Sequence, residues 1–376
     1  MNPRRITPVL FVLLLSIAFA PSATAQSTPR WEVEVHGGGA HESAPTDGTA
    51  SLPPAGEAFT TSANMPSRRS SSWYFGDGAR LINEVNASFP GGTASGRITP
   101  LDPVLSRSGA TRMSGGILGF RVAYNMTSRL SADFTLDAAR GKLKLTDTLL
   151  AGVEATRASF IGAWNDHTGL IRTGGGVVFT NSNVTSTATI HDDQGRQLFT
   201  TGALAVNLIP DGRVIPYATI GAGVVSNMGD GPSVTLVGNY RFTSNVNNLG
   251  AGSFPVNETD TVTIRLAPAN KHALVTVFGG GLKVMGSSRW GVSADVRAYI
   301  SKNAFNTLID ADPQIVTSTP AGVVASFLTP SIQFSNNPST GRQSNLSGPV
   351  ISGFKAFSSS GTPVQVNVSG GIFFRF

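Results

Sequence analysis

Val364-Gln-Val-Asn-Val-Ser-Gly-Gly-Ile-Phe-Phe-Arg-Phe376 is the stretch that decides the fold. Val364, Val366, Val368, Ile372, Phe374 and Phe376 occupy alternate positions, and Gln365, Asn367, Ser369 and Arg375 lie between them. Successive side chains of a β-strand point to opposite faces, so this segment has one apolar wall and one polar wall. The apolar wall needs either a protein core or hydrocarbon against it.

The same alternation recurs upstream. Trp31, Val33 and Val35 alternate with Glu32, Glu34 and His36. Leu118, Phe120, Val122 and Tyr124 flank Arg121, and Leu130, Ala132, Phe134 and Leu136 alternate with Ser131, Asp133, Thr135 and Asp137. Leu204, Val206 and Leu208 form another such row, and Trp290, Val292, Ala294, Val296 and Ile300 alternate with Ser293, Asp295, Arg297 and Tyr299. Stretches 213–225 and 272–284 are less regular, diluted by Gly221, Gly223 and Gly279 to Gly281. Glycine inside strands suits a sheet that must bend sharply.

The connections are uneven. Asn125 to Arg129, Pro210 to Arg213 and Gly286 to Arg289 are short hairpin turns. Long loops separate them, near 40–112, 146–196, 228–270 and 302–362. Several loops above about 15 residues are uncommon in a compact soluble domain. They are ordinary in a transmembrane barrel with tight periplasmic turns and long external loops. The expectation is an all-β, antiparallel transmembrane β-barrel of eight strands. Ten strands are the alternative, if 176–180 and 184–190 join the wall. A soluble secreted β-protein is the competing fold.

The N-terminus agrees with export. Arg4 and Arg5 precede the apolar run Val9 to Ala20, and Ala23-Thr24-Ala25 fits a cleavage site, so 1–25 reads as a signal peptide and 26–376 as the barrel domain. The run is shorter than the about 20 residues of a spanning helix. Cysteine is absent, so no disulfide staples the chain. The net charge of +6 is not concentrated in any Lys/Arg block, which argues against nucleic acid as a partner.

Gly119-Phe-Arg-Val-Ala-Tyr-Asn-Met-Thr-Ser-Arg-Leu130 resembles the strand–turn–strand block of small OmpA-like outer-membrane β-barrels, where Tyr-Asn precedes the turn. Gly212-Arg-Val-Ile-Pro-Tyr-Ala-Thr-Ile-Gly-Ala-Gly223 is similar to that family's Pro-Tyr block with spaced glycines. A terminal strand ending in Phe376 completes the likeness. The resemblance implies the outer membrane of a Gram-negative-type bacterium, contact with its lipid, and Phe376 as an assembly signal read by the barrel assembly machinery. The family's peptidoglycan-binding domain is not expected here. The family includes anchors, adhesins and small-solute channels, so the resemblance names no activity.

By alternation the lumen holds the acids Glu32, Glu34, Asp133, Asp137 and Asp295 and the bases Arg121, Lys283, Arg297 and Arg375. An eight-stranded bore is about filled by its own side chains, and opposite charges in it should pair. The expected result is a plug of salt bridges. A gated pore for small solutes is the alternative.

Neither a metalloprotease, a serine-hydrolase nor a phosphate-loop motif is present. The glycine runs Gly37 to Gly39, Gly174 to Gly176 and Gly279 to Gly281 read as bends or loop tips. No catalytic, cofactor-binding or metal-ligating residue, and no cofactor, is assigned, and the chain is not read as an enzyme. A surface hydrolase at the rim stays as a further alternative through His36 or His41, although His36, His41, His167, His191 and His272 each read more simply as exposed loop residues.

In the loops, Trp73-Tyr74-Phe75 reads as a local mini-core capping the barrel, or else as a contact surface. Leu81, Ile82, Val85 and Phe89 suit a short helix, and Leu149, Leu150, Val153, Phe160, Ile161 and Trp164 suit a longer one from Thr146 to Asn165, capped at Thr146-Asp147. The third and fourth loops read as polar and exposed, with turns at Asn245 to Asn248 and Ser335 to Ser339. The expected function is a structural or interaction role, with a surface ligand met by the loops. The sequence leaves the oligomeric state open.

Overall fold

The computed structural model describes residues 30–43, 47–54, 58–60, 66–88, 96–110, 114–142, 144–170, 177–192, 195–210, 212–246, 252–315, 343–346 and 350–376. In chain order the elements are β1 (Trp31–Glu42), β2 (Gly48–Ala50), β3 (Ala58–Thr60), β4 (Pro66–Ser70), α1 (Gly76–Ser88), α2 (Asp102–Leu105), β5 (Ser114–Asn125), β6 (Leu130–Lys142) and α3 (Asp147–Leu170). There follow β7 (Val177–His191), β8 (Arg196–Asn207), β9 (Val214–Met228), β10 (Ser233–Val246), β11 (Gly252–Pro268), β12 (His272–Met285) and β13 (Trp290–Ser301). The last are β14 (Phe305–Ile315), β15 (Gln343–Leu346), β16 (Ile351–Ser359) and β17 (Val364–Arg375).

Eight strands close an antiparallel barrel in the order β1-β17-β13-β12-β9-β8-β6-β5. The seam is β1 against β17, in register from Glu32↔Arg375 to Glu42↔Gln365. The expected hairpins form: the Met126 N–H donates to the Leu130 carbonyl at 2.9 Å, and the Gly286 N–H donates to the Trp290 carbonyl at 3.0 Å. These turns share one end of the barrel with Trp31 and Arg375. The outer wall is apolar and uncovered. Trp31, Leu118, Phe134, Trp290, Val368 and Phe374 are exposed, and Leu274 is 80% exposed. Trp31 and Tyr124 lie against each other at the turn end, ring centroids 5.0 Å apart.

At the opposite end the barrel does not stop. A second sheet has the order β2-β16-β14-β11-β10-β7. Each of these strands adjoins in sequence one of the barrel strands β1, β17, β13, β12, β9 and β8, and the lateral order is identical. Six staves of the barrel therefore continue upward as one sheet. Adjacent links are tied together: the Asn270 N–H donates to Asn303 Oδ1 at 2.8 Å, and Asn303 Nδ2 donates back to the Asn270 carbonyl at 2.8 Å. The other two staves, β5 and β6, adjoin helices instead, with α2 before β5 and α3 after β6.

The helices fill the inner side of this upper sheet. Leu149, Val153, Phe160 and Trp164 of α3 are buried at three- and four-residue spacing, with Val234, Leu236 and Tyr240 of β10 and Val262 and Ile264 of β11 in the same core. Thr146 caps α3, its Oγ1 accepting the Leu149 N–H at 3.2 Å. Trp73, Tyr74 and Phe75 are buried there too, as the mini-core reading expected. A Cβ on Gly238 would lie 2.3 Å from Tyr74 Oη and 2.7 Å from Phe160 Cζ, so only glycine lets both rings seat on β10.

Three expectations need correction. The third and fourth loops are not mainly exposed turns, because 228–270 contributes the long strands β10 and β11, and 302–362 contributes β14 and β16. The inward positions of β10 and β11 are mostly Val, Leu, Ile and Tyr, with Gly238, Glu258 and Asp260 among them, while outward Thr235, Asn239, Thr259 and Thr263 gave the segments their loop-like composition. Asn245 lies within β10. The alternative of ten barrel strands also falls, since β7 pairs with β10 in the upper sheet. The long loops do not hang free of the barrel but pack into a folded head. The signal segment 1–25, Phe89, Gly174 to Gly176, Asn247, Asn248 and Ser335 to Ser339 lie outside the described residues.

Candidate functional site

All nine residues expected in the lumen come together there. At the turn end, Glu32 receives Lys283 Nζ on one oxygen and Arg375 Nε on the other, the latter at 2.9 Å. Phe373 lies beside both cations, 5.7 Å from Lys283 Nζ and 5.3 Å from the Arg375 guanidinium carbon. Arg375 sits at the mouth and is the most exposed of the set.

The middle of the bore centres on Asp295. Arg121 Nη2 donates to its Oδ2 at 3.0 Å, Arg297 Nε donates to its Oδ1 at 3.0 Å, and the Tyr217 hydroxyl donates to Oδ2. Arg121 also reaches Glu34 Oε2 at 3.4 Å and Tyr217 Oη at 3.2 Å. Arg297 reaches Asp133 Oδ2 at 3.1 Å and Thr135 Oγ1 at 3.3 Å. Both arginines are 3% exposed, so protein groups rather than bulk water neutralise them, while Arg121 Nε and one oxygen each of Glu34 and Asp133 keep no hydrogen-bond partner among the described residues.

Above this layer, His36 Nε2 lies 2.7 Å from Asp137 Oδ1, and Tyr299 donates to Asp137 Oδ2 at 2.8 Å. His36 Nδ1 is 3.5 Å from Glu34 Oε1. A Cβ on Gly119 would stand 2.0 Å from Asp137 Oδ1 and 2.2 Å from His36 Nε2, so the glycine makes room for this pair. The reading of His36 as an exposed loop residue is thus corrected: strand parity aims it inward with Glu32 and Glu34, and it is 3% exposed. The alternation placed it on the polar wall, which was the signal available. Tyr299 stood on the polar row with Asp295 and Arg297 but was not named with the network, and Tyr217 was missed because glycines dilute the alternation of its strand. A final layer of Ile117, Ala139, Phe199, Val225, Val275 and Val277 packs around Tyr299 on the side toward the head.

The remaining histidines scatter. His167 is buried in the head, also contrary to the loop reading, and burial lowers it to about 4. His41 and His272 are exposed at the head end of the barrel, each joined through Nδ1 to a cross-strand serine, Ser114 at 3.0 Å and Ser226 at 2.9 Å. Among the described residues neither imidazole has a hydrogen-bonded acid partner. His191 is exposed.

The head core contains two further acids with no cation beside them among the described residues. Glu258 and Asp260 are 0% exposed. Tyr240 donates to Glu258 Oε2 at 2.5 Å, while Asp260 Oδ2 accepts the Ser72 hydroxyl at 3.0 Å and the Trp73 N–H at 2.6 Å. Loss of hydration is the main cause that pushes Glu258 up to about 8 and Asp260 up to about 7. Sequence reasoning missed both, because they sit in a segment read as a loop.

No family model matches the chain. No curated protein matches it either. The likeness to OmpA-like barrels therefore rests on the quoted residues alone. Among solved structures, the outer membrane protein OprG from Pseudomonas aeruginosa is similar at 10% identity and a TM-score of 0.34, over 94% of this chain and 99% of that one. The COG4313 outer membrane channel from Pseudomonas putida F1 is similar at 10% identity and a TM-score of 0.21, over 94% and 99%. A TodX deltaS2S3 mutant monoaromatic hydrocarbon channel follows at 10% identity and a TM-score of 0.19, over 96% and 94%.

Proposed function

We propose that this chain is an outer-membrane anchor that holds a folded head above the membrane for surface interaction, and that its bore does not conduct. The observation that carries the reading is the closed ion-pair network centred on Asp295, with the apolar layer around Tyr299 above it. The uncovered apolar wall supports a lipid surround, because a water-soluble body would have to expose the same side chains. On this reading lipid and the barrel assembly machinery are its partners in the membrane, Phe376 serves as the assembly signal, and the chain catalyses no reaction. Purified protein in planar bilayers should give no unitary current steps. Regular steps would overturn the closed-bore reading.

A second reading is a gated channel for small solutes. It is favoured by the sharing of partners: Asp295 serves both Arg121 and Arg297, and Asp133 lies 3.1 Å from Arg297 and 3.9 Å from Arg121. Such a set could exchange partners and open a wet path. Currents altered by Asp295→Ala would support this reading over the first.

A further inference from the structure

Between the apolar layer around Tyr299 and the floor of the head lies a small cavity with a free volume of about 10 Å³. Glu42, Gln197, Asn227, Tyr299, Ser301 and Gln365 are among its walls. Glu42, Gln197 and Gln365 are 7%, 8% and 3% exposed. Each nevertheless keeps one oxygen without a hydrogen-bond partner: Glu42 Oε2, Gln197 Oε1 and Gln365 Oε1.

The amide orientations follow from the donors. Gln197 Nε2 donates to Asn227 Oδ1 at 3.1 Å, and Gln365 Nε2 donates to Asn367 Oδ1 at 2.9 Å. Gln197 also hydrogen-bonds the Glu42 carboxylate, and Gln365 and Asn367 hold each other through one amide–amide bond that leaves Asn367 Nδ2 and Gln365 Oε1 without a partner among the described residues. Glu42 faces Gln365 directly across the β1–β17 seam, and Gln197 is in hydrogen-bonding reach of Glu42 from β8. One carboxylate and two amide oxygens from three strands therefore border one space about the size of a single water.

We propose that this cavity is a binding site for one hard cation, Na⁺ or Ca²⁺, held by Glu42, Gln197 and Gln365. Oxygen-only donors with no imidazole or thiolate select hard cations over transition metals. The single carboxylate balances the charge of Na⁺ and half that of Ca²⁺, and Ser301 stands in the same wall. A water can serve unpartnered donors as well as acceptors, but three leftover groups that are all acceptors match a cation better. Among the described residues no group of three or more His, Cys, Asp and Glu is placed to hold a metal ion, so this site would differ from acid-cluster sites by its use of amides. A bound ion here would tie β8 to the β1–β17 seam at the level where barrel becomes head.

The test uses the full chain refolded in detergent and stripped with chelator. Its melting midpoint is followed in CaCl₂, NaCl and choline chloride at matched ionic strength. A rise of several degrees in CaCl₂ or NaCl over choline, abolished by Glu42→Gln, is the expected result, and the salt that raises it names the ion. Terbium, as a calcium surrogate, should give emission sensitised by Tyr299 that falls at least fivefold in Gln365→Ala, which guards against a misfolded Glu42 variant. Equal melting in all three salts, with terbium emission no higher in the parent than in the variants, would mean that the cavity holds only water and would overturn the proposal.

Discussion

Trp164 of α3 lies flat on Tyr240 of β10, ring centroids 4.1 Å apart and planes within 13°. This stack joins a helix from the second long connection to a strand from the third. Trp73, from the first, donates its indole N–H to the same Tyr240 hydroxyl at 2.9 Å. Three connections that are remote in sequence thus meet on one tyrosine, and the head is a cooperative unit rather than separate loops.

Trp164→Ala should therefore melt the head and spare the barrel. Truncating a buried tryptophan typically costs about 3–5 kcal/mol. Limited proteolysis should show new cleavage within 147–170, while the heat-modifiable shift of the barrel band on a gel stays unchanged. Loss of both together would show that head and barrel fold as one.

The head should lose stability as pH rises. Glu258 and Asp260 have folded pKa values of about 8 and about 7, above their ordinary 4.5 and 3.8. A carboxyl raised in this way gives a contribution that is full below its unfolded value and is lost as pH passes its folded value. His167, lowered from 6.5 to about 4, works in the opposite sense, its contribution being lost as pH falls from 6.5 to 4. The two slopes oppose below pH 6.5, and the carboxyls act alone above it. The head's melting midpoint should fall most steeply between about pH 6.5 and 7, where both carboxyls act unopposed, and continue to fall to about 8 through Glu258, and Glu258→Gln with Asp260→Asn should flatten that fall. A midpoint rising over this interval would refute the assignment.

In the lumen, Asp295→Ala removes the shared partner of Arg121 and Arg297. Breaking a buried pair costs roughly 3–5 kcal/mol when the charge is left unpaired, and less here because Arg121 keeps Glu34 and Arg297 keeps Asp133. Asp295→Asn keeps an acceptor and should cost less. The temperature at which the folded barrel band converts to the unfolded one should drop in the order parent, Asn, Ala.

Gly119→Val should disturb the upper lumen through sterics alone. Even its Cβ would overlap the Asp137 carboxylate and the His36 ring. Overpacking of this kind costs about 1–3 kcal/mol. The His36 imidazole resonances should move in this variant, and those of His41, on the outer surface, should not.

The barrel was legible because a two-residue period survives in any solvent. Val368 and Asn367 declare opposite walls whichever medium lies outside, and Asp295 and Arg297 had to meet once the bore was narrow. The head was partly hidden. Leu149 to Trp164 showed its helical spacing, but β10 and β11 alternate aliphatic residues with threonine and asparagine, a mixture that also describes an exposed loop. Glu258 and Asp260 gave no signal, since a carboxylate in such a segment is ordinarily solvated. That six barrel strands carry on upward in unchanged order depends on pairing between distant segments, which periodicity does not encode.

The most direct test of the account exploits the absence of native cysteine. Single-cysteine variants Val368→Cys and Asn367→Cys, spin-labelled and reconstituted in lipid, report the surroundings of neighbouring residues on β17. The label at 368 should relax strongly with oxygen dissolved in the bilayer and hardly at all with a water-soluble nickel chelate, and the label at 367 should be shielded from both. Equal, water-like accessibility at the two positions would contradict a barrel whose oily wall faces lipid.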